Sequence, residues 1–194
     1  MIFVVDTSSA QSAIALLDES GAVIREELHA SGRTFDLPER FRALAAGERI
    51  ARVGVATGPG SFTGLRVGAS FAVGLALGLR VPLAPLPTLA IQAARSDNPV
   101  MAVSEAGRGR VYFLPPGGAV RLGEASELPR DHPAAGWLRA ETRAALEAAG
   151  VRMAGDDGLR TFGAAAARLM KSARDIPYES VKLEYMQSFA ASSR

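Results

Sequence analysis

The sequence predicts an α/β protein, a mixed sheet with helices on its faces. Two observations carry this. Three short strand-like segments open the chain, joined by turns too short for a crossover, so they are expected as antiparallel neighbours. Helical and strand-like periods then alternate, which adds further strands to the sheet through helical connections.

The opening strands are read at residues 2–6, 12–17 and 22–29, with turn residues at 7–11 and 18–21. A helix follows over 35–46, where Phe41, Leu44 and Ala45 fall at helical spacing behind Asp36 and Pro38. RVGVAT at 52–57 reads as a buried strand, GPGS at 58–61 as a turn, and 62–79 as a second helix. A strand at 81–86, bracketed by Pro82, Pro85 and Pro87, completes the order β-β-β-α-β-α-β. Past residue 100, strands are read at 100–104 and 111–114 around the turn EAGRGR, 105–110. An irregular Pro/Gly-rich stretch at 115–136 precedes a helix at 138–149. The last helix, 161–173, has Phe162, Ala165, Ala166, Leu169 and Met170 on its apolar face.

Composition excludes several classes. With 48% hydrophobic and 22% charged residues the 194-residue chain is globular, not disordered. The absence of cysteine rules out disulfides and thiolate metal sites, and it fits a reducing cytoplasm. MIFVVDTSSA has an acid at position 6 and no basic stretch, unlike a signal peptide. The longest apolar run, 62–79, is interrupted by Arg66 and falls short of the ~20 residues of a typical membrane span, so a soluble protein is expected. Of 22 basic residues only Lys171 and Lys182 are lysines; the net charge is +2, acids are interspersed, and no strong grip on nucleic acid is expected.

Helix 62–79 is the most informative element. Gly64, Gly68, Ala72 and Ala76 recur every four residues, Gly74 and Gly78 sit on another face, and large apolar residues fill the rest. Glycine inside a helix costs about 1 kcal/mol relative to alanine, so this pattern suits a place where backbones come close. An apolar surface nearly all round must also be covered on more than one side. A partner interface is therefore expected at Phe62, Gly64, Leu65, Gly68, Ala69, Ala72 and Ala76; burial wholly inside this chain is the alternative.

Two further places could handle phosphate. The loop Gly58-Pro59-Gly60-Ser61 joins a strand to a helix N-terminus, but no Lys follows Gly64 as a Walker loop requires. The alternative is a tight turn with Ser61 as N-cap. Asp6, Thr7 and Ser8 end the first strand, and there an acid with neighbouring hydroxyls could face a nucleotide or simply satisfy the turn. No catalytic set is legible. The two histidines, His29 and His132, are far apart, no cysteine nucleophile exists, and GSFTG around Ser61 has the wrong spacing for a nucleophile elbow. No metal or cofactor is expected.

GPGSFTGLRVG at 58–68 is the hallmark motif of the TsaB (YeaZ-like) family, and the chain resembles that family. VVDTSS at 4–9 looks like its opening strand and turn, and EAGRGRVY at 105–112 is similar to its DAGRGEVY segment, with Glu105 for Asp and Arg110 for Glu. Glu184-Tyr185-Met186-Gln187 stands where the family carries a PxYxR tail. A histidine common before the first helix is missing near Gly32.

The resemblance implies an actin/Hsp70-like (ASKHA, ribonuclease H-like) two-lobe fold. Its first lobe would be βββαβα over 1–100, completed by a helix at 158–175. The second, abbreviated lobe would span 101–157, and 176–194 would be a tail. The motif loop would comprise Gly58, Pro59, Gly60, Ser61, Thr63 and Arg66, with Asp6, Thr7 and Ser8 as a vestigial nucleotide site. The resemblance further implies a non-catalytic scaffold for a TsaD-like catalytic subunit, joined by a TsaE-like ATPase and meeting tRNA only through the complex. Alone, the chain would be a homodimer. The rival readings are an ATP-binding, phosphate-handling enzyme of the same fold and, behind it, a glycoprotease-like peptidase.

Overall fold

The computed structural model describes residues 1–31 and 36–184. The start of the expected helix at residue 35, Gly32, and the tail residues Tyr185, Met186 and Gln187 lie outside them.

Strands β1 (Ile2–Asp6), β2 (Gln11–Leu17) and β3 (Val23–Ala30) form an antiparallel meander, and β4 (Arg52–Ala56) and β5 (Leu83–Leu86) join it in parallel. The sheet order is β3-β2-β1-β4-β5. The central strands are almost wholly apolar because both faces are covered. Phe3 and Val5 of β1 point to one core, with Leu16, Leu44, Val53, Ala72 and Ala76, while Val4 points to the other, with Ala15, Leu86, Ile91 and Phe162.

Helices α1 (Leu37–Leu44) and α2 (Phe62–Leu79) cover the first face. Helices α3 (Thr88–Ala94) and α5 (Phe162–Met170) cover the second. Asp36, Ser61 and Thr161 cap α1, α2 and α5, each accepting a bond from a first-turn amide.

A second sheet, ordered β8-β7-β6-β9, is made of β6 (Met101–Gly107), β7 (Arg110–Leu114), β8 (Arg121–Glu124) and the two-residue β9 (Ala134–Ala135). Helix α4 (Ala140–Ala148) lies on one face through Leu146, and Leu89 of α3 packs on the other with Ala102 and Tyr112. The chain then returns to the first sheet. Ile176 bridges to Leu83, the Tyr178 hydroxyl donates to the Val81 carbonyl at 3.0 Å, and the Glu184 amide donates to the Thr57 carbonyl at 2.8 Å.

Several readings need correction. α3 was not expected at all; it has seven residues and no side-chain cap, and it hides behind Pro85 and Pro87. The stretch 115–136 contains β8 and β9, and β5 begins at Leu83, two residues later than expected. The turn at 105–110 is mostly strand, narrowing to Arg108 and Gly109 between β6 and β7.

The main correction concerns α2. Of the seven residues expected at a partner interface, Leu65, Gly68, Ala69, Ala72 and Ala76 are buried inside this chain, and Gly64 lies against Thr7. A Cβ on Gly64 would overlap the Thr7 carbonyl oxygen, and one on Gly68 would lie 2.5 Å from the Thr7 hydroxyl. The small-residue stripe exists so that α2 can lie on the end of β1. Only Phe62 of the seven faces outward. By length and composition the 18-residue helix could cross a membrane, but its buried stripe makes it one layer of this domain.

Candidate functional site

The Asp6 turn and the 58–61 loop are built into each other. Asp6 Oδ1 accepts from the Ser8 amide at 2.8 Å and the Ser8 hydroxyl at 2.6 Å. With its proton committed to Asp6, Ser8 Oγ accepts from the Thr88 hydroxyl at 2.9 Å, and Thr88 Oγ1 in turn accepts from the Gly58 amide at 3.1 Å. This chain of bonds ties β1, the loop and α3 together. Across the loop, the Thr7 hydroxyl donates to the Gly64 carbonyl at 2.6 Å, and the Ser61 amide to the Ser8 carbonyl at 2.7 Å. Pro59 follows a cis peptide bond, and Gly58 sits at φ +110 against the backbone of Glu184.

This geometry decides what the loop offers. The amides of Gly58, Ser61, Gly64 and Leu65 are already bonded within the protein, so they form no open phosphate cradle. Asp6 has no exposed surface, and Ser8 is 1% exposed. The Asp6–Ser8 turn and the motif loop are a latch between elements. Thr63 and Arg66 face outward from the first turns of α2, the Arg66 guanidinium 3.8 Å from the centre of the Phe62 ring.

Burial pushes the Asp6 carboxyl above its ordinary value of 3.8, against the opposing effect of the two Ser8 bonds, and Oδ2 has no partner. A raised folded-state value means that the native chain holds a proton which the unfolded chain has already released. Stability therefore falls as pH rises above 3.8 through the folded-state value, and stays lower beyond it. Asp6→Asn keeps the acceptor for both Ser8 bonds and removes the charge. We expect the variant to lose this pH dependence and to melt at pH 7 no lower than wild type, by scanning calorimetry. A fall of more than about 5 °C, roughly 1–2 kcal/mol for a chain of this size, would show that the ionised carboxylate is needed.

The histidines are not brought together. His29 lies on β3 beside Glu27 at 3.0 Å, and His132 belongs to the segment before β9. Among the described residues no group of three or more His, Asp or Glu could hold a metal. In the β6–β7 hairpin Arg108 is exposed at φ +54 between Gly107 and Gly109, both also at positive φ. Glu105 has a role that sequence reasoning missed. Its Oε1 accepts from the Arg139 amide at 2.7 Å and the Thr142 hydroxyl at 2.8 Å, tying the start of α4 to β6. Only the N-terminal location of α4 could have signalled this.

The remaining candidate surface is the outer face of α2. Val67 and Leu77 on it are 48% and 57% exposed, while Phe62 and Leu79, 48% and 46% exposed, lie at the two ends of the helix. Gly74 and Gly78 lie there too, with no atom of the described chain within 4 Å of where a Cβ would stand.

The family model described as "TsaD: tRNA N6-adenosine threonylcarbamoyltransferase" matches residues 42–131, from α1 to just past β8. The chain is 33% identical over 121 residues to the tRNA threonylcarbamoyladenosine biosynthesis protein TsaB of Bacillus subtilis, a match spanning 57% of this chain and 52% of that protein. It is 30% identical over 123 residues to TsaB of Haemophilus influenzae, spanning 58% and 52%. The chain thus spans about half the length of the curated relatives it matches. Solved structures agree over nearly all of it. YeaZ from Pseudomonas aeruginosa superposes with a TM-score of 0.72 at 21% identity, covering 95% of this chain and 99% of that one. A second structure, described as similar to peptidase YEAZ, gives 0.73, also at 21%, covering 96% and 99%. With the motif loop at 58–68 packed on the Asp6 turn, the chain is similar in sequence to TsaB proteins over part of their length and shares the fold of the YeaZ structures over nearly all of its own.

Proposed function

We propose that this chain is a non-catalytic subunit of tRNA threonylcarbamoyladenosine synthesis that holds a TsaD-type catalytic subunit on the outer face of α2. One observation carries the reading. Gly74 and Gly78 weaken the helix by about 1 kcal/mol each relative to alanine, and nothing in the described chain requires them to be glycine. Close approach of a second backbone supplies the requirement, as it does for Gly64 and Gly68 against Thr7. The same face exposes Val67 and Leu77, and apolar side chains laid bare beside bare glycine backbone suit a protein contact.

The names of the curated relatives support the pathway, and the transferase family model supports descent from the same stock as the enzyme. The chain itself is inactive in this reading, which the sealing of Asp6 behind Ser8 supports. Alone, the α2 faces of two copies pair. A TsaE-type ATPase and the tRNA meet the chain within the complex, in the cytoplasm.

Co-expression with the TsaD-type subunit of the same organism is expected to give a complex, and that subunit is expected to modify unmodified tRNA only when this chain is present. Full modification without the chain overturns the reading. The isolated chain is also expected to release no phosphate from ATP above a protein-free blank. Turnover that vanishes in Asp6→Asn would instead support a phosphate-handling enzyme.

A further inference from the structure

Away from the Asp6 latch, a groove of about 710 Å³ opens between the C-terminal ends of α1 and α2. Arg42, Arg49 and Arg80 line it against a single acid, Glu48, with Phe41 and Leu79 in its wall. None of the three arginines pairs with a carboxylate among the described residues.

Arginines near helix C-termini commonly serve the last carbonyls. Here several of those carbonyls already have partners. Leu44 O accepts from Arg25 Nη1 at 2.9 Å, and Ala76 O from the backbone amides of Arg80 and Val81. Arg42 spends one donor, Nε, on the Pro38 carbonyl at 3.2 Å. Arg80 holds the left-handed position that ends α2, at φ +55, where glycine is the ordinary occupant and a side chain costs about 1 kcal/mol. Arg80 is exposed there and its guanidinium has no carboxylate partner among the described residues, so it is available to the groove.

We infer that this groove receives the phosphate backbone of RNA, with Arg49 and Arg80 each facing a phosphate and Arg42 beside them. A small anion would favour an enclosed cradle of fixed donors. Exposed guanidiniums along an open groove suit an extended polyanion, whose released counterions drive binding. The net charge of +2 conceals the patch because it averages over acids placed elsewhere. The choice of RNA over other polyanions rests on the proposed role in tRNA modification.

The test is binding of an unmodified, transcribed tRNA to the full chain across a salt series, for wild type and Arg49→Ala/Arg80→Ala. Two lost phosphate contacts should lower the slope of log K against log salt by about 1.5 and affinity about tenfold near 0.1 M salt. An unchanged slope overturns the inference. So does saturable binding of inorganic phosphate that the double variant abolishes while its tRNA slope stays at the wild-type value. Should the double variant melt lower, Arg49→Ala decides alone, because its side chain lies in the α1–β4 connection outside any helix cap; its slope must fall by about 0.7. TsaD-type association is followed on the same proteins. Retained association with an unchanged slope defeats this inference only, whereas wild type that fails to associate defeats the earlier reading and leaves the slope to judge the groove.

Discussion

Ala72→Glu should lower the melting temperature by about 10–15 °C, because position 72 has no exposed surface and touches the core of the first sheet. An unpaired carboxylate there must be neutralised or hydrated at a cost of roughly 4 kcal/mol, a large part of the 5–15 kcal/mol that holds a typical domain together. Calorimetry or circular dichroism measures this directly. A variant melting within about 3 °C of wild type would mean that α2 turns this stripe away from the sheet, and the assignment of its two faces would have to be exchanged.

Substitutions on the other face should behave in the opposite manner. Leu77→Asp removes a side chain that is 57% exposed, so the fold should lose only about 1 kcal/mol, from the poorer helix propensity of Asp and its charge near the end of the helix. Association with the TsaD-type subunit, however, should weaken about a hundredfold, because a desolvated carboxylate in an apolar contact costs about 3 kcal/mol. Gly74→Ala gives a sharper contrast. With nothing within 4 Å of the new methyl, the free chain should gain about 0.5–1 kcal/mol from helix propensity. The complex should weaken if a second backbone occupies that space. Sedimentation velocity with the partner, set beside thermal melts, separates the two effects. Both variants associating as wild type does would place the partner elsewhere.

These two faces show where sequence reading reached and where it stopped. Helix α2 was legible to the residue, since Ser61 caps one end and Arg80 with Pro82 closes the other. The four-residue spacing of Gly64, Gly68, Ala72 and Ala76 correctly announced a close approach. It could not say to what, because the answer is Thr7, brought there by the fold from far along the chain. A helix apolar all round gives no amphipathic contrast to tell core from contact surface, so the stripe was assigned to the wrong neighbour. β1 to β4 were legible from β-branched runs and turn residues. β9, two residues held by pairing with Met101 and Ala102, carries no local period at all. The environment of Asp6 was equally hidden: whether an acid at a strand end faces solvent or a seal of Ser8 and Thr88 depends on the GPGS loop and on α3.

Helix α3 has a mechanical consequence. It is seven residues long and lodged between the sheets, with Ile91 in the core of the first and Leu89 in that of the second. Gln92, fully buried, bonds to Arg95, whose Nε is bonded to the carbonyl of Arg160 just before α5. Prising the sheets apart would strip apolar surface from both sides of this wedge at once. Bending there is resisted like the parting of two plates riveted through a common pin, and force applied at α2 should reach the second sheet as displacement of a rigid body instead of being absorbed at a hinge.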